Sequence, residues 1–163
     1  MRTLIAQPLT AAAFAPFGGV VAWPGGAGRA INEGSSRRAD LDCALQLDAH
    51  GGRPLLAIYR AAARAFPFAA ATLERHRHGT QTFIPLGSAR FVILVAAAGA
   101  TPQPDRLMAF LSDGRQGVSL APGTWHHGLL AVDAADFAVI ERAAPVEDCD
   151  LAPLAPPVWV ALA

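Results

Sequence analysis

Apolar residues occupy every odd position of Leu41-Asp42-Cys43-Ala44-Leu45-Gln46-Leu47. This is the period-2 pattern of a strand with one buried face. Short apolar segments recur at Gly18–Trp23, Leu55–Arg60, Ala71–Arg75, Thr82–Ile84, Arg90–Val95, Leu107–Leu111, Val118–Leu120, Gly128–Val132 and Phe137–Arg142. Between them, 15 Gly and 13 Pro cut the chain into pieces too short for long helices. About ten short strands at this spacing predict an all-β sandwich or barrel. One short helix is expected near the start, with Thr10 as N-cap before Ala11–Ala15 and Gly18 just past its end. Ala61–Ala65 reads as a helical turn or a loop. Pro156-Pro157 followed by Val158–Leu162 reads as a last extended segment, whose Trp159 packs against another element or a second subunit.

Composition narrows this picture. At 163 residues the chain suits one compact domain, 1–163, able to bury a sizeable core. A hydrophobic fraction of 53% against 16% charged excludes intrinsic disorder. Runs such as Ala69–Ala71 and Ala96–Ala98 raise that fraction without adding much core volume, so they are discounted as helix evidence. Basic and acidic residues number 13 each, giving no net charge and arguing against a nucleic-acid partner. Every basic residue is Arg, so no Schiff-base lysine exists and anions must be gripped by guanidinium or backbone N–H. The first apolar stretch is broken by Gln7, Pro8, Thr10 and Pro16, unlike a signal peptide. No stretch reaches the roughly 18–20 apolar residues of a membrane span. Cys43 and Cys149 read as unpaired thiols, and the expected location is the cytoplasm.

Two segments concentrate reactive side chains beside predicted strands, Glu74 to Pro85 and Gly117 to His127, and they hold four of the five histidines. Imidazole both titrates near neutral pH and ligates transition metals. His76 and His78 are two apart, so an extended chain points them to one face. Pro122-Gly123-Thr124-Trp125-His126 forms a turn that delivers a histidine to the next strand. His127 then falls on the opposite face. Together the segments suit a metal or acid–base site in the mouth of a small barrel.

His-x-His followed by Pro-Gly-x-x-His is similar to the two halves of the cupin metal motif, with Gln81 near the place of its acidic ligand. Over the whole chain, the order Phe17-Gly18, Ile31-Asn32-Glu33-Gly34, Arg38, Arg60-Ala61, Leu73-Glu74-Arg75-His76, Gly79-Thr80-Gln81-Thr82-Phe83-Ile84-Pro85, Gly117-Val118, Thr124-Trp125-His126-His127 and Asp148-Cys149-Asp150 resembles the ureidoglycolate lyase family. His78 departs from that family pattern. The resemblance implies an all-β, cupin-like double-stranded β-helix (a jelly-roll barrel) with one or two short helices. It also implies a homodimer acting on ureidoglycolate, which it splits into glyoxylate and urea in allantoin degradation.

That elimination needs a carboxylate anchor, a base and a proton donor. On the resemblance, His76, His126 and Glu74 are the catalytic candidates. Arg38, Arg60 and Arg75, with Arg142 behind them, are candidates for gripping the carboxylate, and Gln81 for the urea amide. A divalent metal on His76 and His126 is the alternative to acid–base chemistry. Two other functions stand beside this one: a metal-dependent cupin dioxygenase or isomerase using His78, and a cupin that binds a small molecule without turnover.

Overall fold

A computed structural model describes residues 2–163. Its elements in chain order begin with strands β1 (Thr3–Ile5) and β2 (Gln7–Pro8), helix α1 (Ala11–Phe14) and strand β3 (Gly18–Val21). The hairpin β4 (Arg29–Ile31) and β5 (Ser36–Arg38) precedes the long strands β6 (Arg53–Ala61) and β7 (Phe68–His76). Then come β8 (Gln81–Pro85), β9 (Phe91–Ala96), β10 (Met108–Leu111), β11 (Gly117–Leu120), β12 (Trp125–His126) and β13 (Leu130–Ala131). The long strands β14 (Ala135–Ala143) and β15 (Cys149–Ala161) complete the chain.

The strands form an eight-stranded sheet, β1-β15-β7-β12-β9-β10-β2 with β13 beside β9, and a five-stranded sheet, β3-β11-β8-β14-β6. The two curl into a nearly closed, cupin-like barrel. Its interior is filled by Phe83, Phe91, Ile93, Val95, Phe110, Val118, Leu120, Phe137 and Val139. A second core lies on the outer side of the larger sheet, where Leu73, Val92, Leu94, Leu107, Trp125, Val158 and Val160 pack. β9 therefore has both faces buried, which is why Phe91–Ala96 reads as an unbroken apolar run. Fully burying an aromatic such as Phe137 contributes about 2–3 kcal/mol.

Helix α1 begins where expected: the Thr10 hydroxyl accepts from the Ala13 N–H at 3.2 Å. Residues 62–65 are loop rather than helix. The expected strand at 41–47 does not form. That segment lies across the outside of the smaller sheet without joining its ladder. Leu47 is buried, Cys43 fills the space above Gly19, and the Gln46 N–H donates to Thr80 Oγ1 at 3.1 Å. The apolar alternation thus reports one packed face, and backbone pairing does not follow from it. The last extended segment is longer than expected and starts at Cys149. Its Trp159 pairs with Thr3 and Ala69 between two strands of the same chain.

Candidate active site

β7, β8, β12 and β14 deliver the functional side chains through strand parity. On β8, Gln81 shares the inward parity of Phe83, and on β14, Glu141 shares that of Phe137 and Val139. On β7, Glu74 stands directly opposite His126, which in turn stands opposite Val95 of the inner core. The turn before β12 is pinned to the end of the adjacent strand β7, with Gly123 N–H donating to the His76 carbonyl at 2.7 Å. Gly123 sits at φ +82°, a conformation that suits glycine.

These positions bring four of the expected residues together. Glu74 Oε1 lies 3.4 Å from His126 Nε2, and Gln81 Oε1 lies 3.0 Å from the same nitrogen. His126 is fully buried, and its Nδ1–H donates to the Thr124 carbonyl at 2.9 Å. The His76 and His126 ring centroids are 5.5 Å apart. His76 Nδ1 is 3.8 Å from Asp148 Oδ1, while its Nε2 is buried without a hydrogen-bond partner among the described residues.

Glu74 stays ionised. The hydrogen bond from His126 holds its carboxyl below the usual range against the opposing effect of burial. Burial pushes the Cys149 thiol up to about 11, and the Glu74 charge adds to this, so the thiol stays protonated. Burial also raises the Tyr59 phenol, helped by the charges of Glu141 and Glu74.

Donor atoms of Glu74, His76 and His126 all lie within 4.8 Å of one another. With Nδ1–H given to Thr124, a ring protonated on both nitrogens donates Nε2–H toward Glu74 and Gln81, whereas a neutral ring would turn a lone pair toward the same two oxygen acceptors. Convergent acceptors of this kind, together with the unpartnered His76 Nε2, fit a divalent cation. They fit a protonated His126 equally well.

The cluster opens on a cleft of about 290 Å³ at the barrel mouth, lined by residues that include His76, Thr80, Glu141, Arg142 and Asp148. His76 and Glu141 join cleft to cluster, Glu141 through the Gln81 amide, whose Nε2 donates to Glu141 Oε2 at 2.9 Å.

The arginines lie elsewhere. Arg38 is exposed on the separate β4–β5 hairpin and pairs with Asp40 at 2.6 Å. Arg60 points outward from β6 and clamps Asp136 with two hydrogen bonds of 2.9 and 3.0 Å. Beside it, a shallow hollow of about 480 Å³ is lined by Tyr59, Arg64 and Leu129 among others. Arg75 occupies the opposite face of β7 from Glu74 and His76. There it donates to Asp150 Oδ2 at 2.8 Å and lies over the Trp125 ring at 4.5 Å. Arg142 does line the cleft, with its guanidinium donating to the carbonyls of Ala49 and His50. His78 does not share a face with His76, because β7 ends at His76. The His78 ring packs against His50 at 4.1 Å instead. His127 faces away from His126, edge-on to Phe68.

Sequence reasoning missed Glu141, Asp148 and Tyr59 as site residues. The signal for Glu141 was available: a carboxylate at the inward parity of an otherwise apolar strand. Asp148 figured only in the family pattern Asp148-Cys149-Asp150, and parity gives no signal for it because it reaches the site from the loop before β15.

The family model for ureidoglycolate lyase matches residues 1–161. A ureidoglycolate lyase of Burkholderia cepacia is 47% identical over 150 residues, covering 91% of this chain and 84% of the relative. One from Azotobacter vinelandii is 42% identical over 151 residues, covering 92% and 91%. A third, from Pseudomonas savastanoi pv. phaseolicola, is 40% identical over 151 residues, covering 92% and 89%. The chain belongs to the ureidoglycolate lyase family.

Proposed function

We propose that this chain, as one domain over residues 1–163, releases urea from ureidoglycolate and leaves glyoxylate, a carbon–nitrogen lyase step of allantoin degradation. The observation that carries the mechanism is the unpartnered, buried Nε2 of His76, on a residue lining the cleft 5.5 Å from the His126 ring. The central carbon of the substrate carries a hydroxyl and the ureido nitrogen. His76 Nε2 takes the hydroxyl proton and the C–O bond becomes a carbonyl. The C–N electron pair leaves with nitrogen, which takes a proton from His126 Nε2 to give neutral urea. Glu74, held ionised beside His126, stabilises the imidazolium that makes this donation.

The alternative use of the same residues is a divalent cation held by Glu74, His76 and His126, which would polarise the substrate hydroxyl. Metal analysis separates the two. A stoichiometric metal whose removal abolishes turnover assigns the triad to cation binding, whereas full activity of metal-free protein assigns it to acid–base work.

The test of the function is direct assay of glyoxylate from racemic ureidoglycolate. His76→Ala or His126→Ala is expected to cut turnover by a factor of about 10² or more. No glyoxylate from the wild-type chain overturns the reading, and wild-type rates in either variant remove that residue from it.

The active form in this reading is a homodimer in the cytoplasm. The outer face of the smaller sheet, apolar at Leu56 and Ile58, supports the first statement. The second draws support from Cys43 and Cys149, which form no disulfide among the described residues. No helix among those residues is long and apolar enough to cross a membrane.

A further inference from the structure

Ureidoglycolate has three chemically distinct ends on one carbon: a carboxylate, a hydroxyl, and a ureido group. The ureido group carries N–H donors on both nitrogens, and a carboxylate accepts from two such donors with parallel hydrogen bonds. A recognition group for that end must therefore offer acceptors, sit on a rigid element, and lie beside the proton donor for the departing nitrogen.

The carboxylates around the cleft differ in how far they are committed. Asp148 Oδ2 accepts from His78 N–H at 2.8 Å and faces Arg142 at 3.8 Å, and its Oδ1 faces His76 Nδ1 at 3.8 Å. Glu74 is engaged by His126 and by the Cys149 thiol. Glu147 is exposed on the loop before β15. Glu141 is different: it projects from the inner face of β14 and lines the cleft, and among the described residues its hydrogen bonds come from neutral groups, Gln81 Nε2 to Oε2 and the Tyr59 phenol, with no cation paired to it.

That bond also fixes the orientation of the Gln81 amide. With Nε2 on Glu141 at 2.9 Å, Oε1 is turned to His126 Nε2 at 3.0 Å. One amide group therefore separates Glu141 from the imidazole that protonates the leaving nitrogen. His76 lines the same cleft, on the side where the hydroxyl proton leaves.

We infer that Glu141 is the specificity residue of this site, accepting the ureido N–H groups of the substrate with Gln81 bracing its carboxylate. This rests on the lyase reading for the identity of the ligand. A fixed anion here also works against rival ligands. A hydroxy acid lacking N–H donors, or a dicarboxylate, brings oxygen against oxygen and leaves Glu141 unpaired, the situation in which polar sites discriminate most strongly.

The test is direct binding by calorimetry of two probes that need no turnover: oxalurate, which carries carboxylate and ureido groups, and glyoxylate, which lacks the ureido group. In Glu141→Gln the charge is lost, N–H faces N–H, and the amide oxygen still accepts from Gln81. Oxalurate affinity is expected to fall about 10- to 100-fold, the size of a charge-assisted hydrogen bond, with glyoxylate affinity unchanged within about twofold. Glu141→Asp, which retracts the carboxylate by one methylene, is expected to fall between. Melting temperatures within a few degrees of wild type confirm that both variants fold.

Unchanged oxalurate affinity in Glu141→Gln, a parallel fall for both probes, or no oxalurate binding by the wild-type chain overturns the inference. The glyoxylate-release assay stands apart from it. Turnover with an unchanged affinity ratio sinks the Glu141 assignment alone, and absence of turnover sinks the parent reading.

Discussion

His127 and His126 are adjacent in sequence and opposite in environment, and the difference has a pH signature. His127 packs edge-on against Phe68 with ring centroids 5.2 Å apart, and its Nδ1–H donates to the Gly128 carbonyl at 2.9 Å. Burial lowers its pKa below the ordinary 6.5, outweighing the Gly128 hydrogen bond and the Glu74 charge that favour the proton. The unfolded chain binds a proton at this residue at a higher pH than the folded one. The contribution of neutral His127 to stability is therefore complete above pH 6.5 and is lost as pH falls through its lower folded value. His127→Gln, which cannot be protonated, is expected to show a shallower fall in Tm between about pH 7.5 and 5 than wild type. Parallel Tm-against-pH curves would contradict this.

At the scale of elements, the site depends on the turn that joins β7 to β8, since it carries His76 at one end and Gln81 at the other. Gly79 sits in that turn with no room for a side chain. A Cβ there would lie 2.6 Å from Arg142 Cβ and 3.2 Å from the Gln46 carbonyl. Arg142 cannot easily yield, because its guanidinium is tied to Ala49 and His50. Gly79→Ala is expected to cost about 1–3 kcal/mol, read as a shift of the denaturation midpoint, and to lower turnover by displacing His76 and Gln81. An unchanged midpoint would show that the Arg142 strut is dispensable.

Much of this arrangement was readable in the sequence, because period-2 parity is a local property. It placed Glu74 and His76 on one face of β7 and Arg75 on the other, and it set His127 opposite His126. Parity fails where a strand ends, and so His78, two residues beyond the end of β7, left the face it was expected to share with His76. Alternation also cannot tell a paired strand from a segment that merely packs, which is why Leu41–Leu47 reads as a strand and is not one. Two of the arginine anchors depended on long-range partners: Asp136 and Asp150 hold Arg60 and Arg75 in ion pairs that no local pattern announces, whereas Arg38 pairs with its near neighbour Asp40.

For the whole molecule, the outer face of the smaller sheet is the feature least suited to water. Strand parity sends Leu56 and Ile58 outward from β6, and they are 69% and 57% exposed. In register beside them lie Ile140 and Ala138 of β14, and beyond those Thr82 and Ile84 of β8. An antiparallel sheet with one solvated face ordinarily carries polar residues there. Thr82 is buried and bonded to Ser119, but the row Ile58, Ala138 and Ile84 is apolar across three strands, and in the proposed homodimer this is the surface that is covered. In the homodimer proposed above, a second copy would meet it by twofold symmetry, with like rows against each other. Ile58 stands at the β6 end of that row, 57% exposed and outside the cleft, so Ile58→Glu puts a charge into the proposed interface while leaving a monomer's barrel intact. Light scattering at micromolar concentration is expected to give twice 16.9 kDa for wild type and 16.9 kDa for Ile58→Glu, with the far-ultraviolet spectrum unchanged. A wild-type monomer, or a variant that stays dimeric, would move the interface off this sheet.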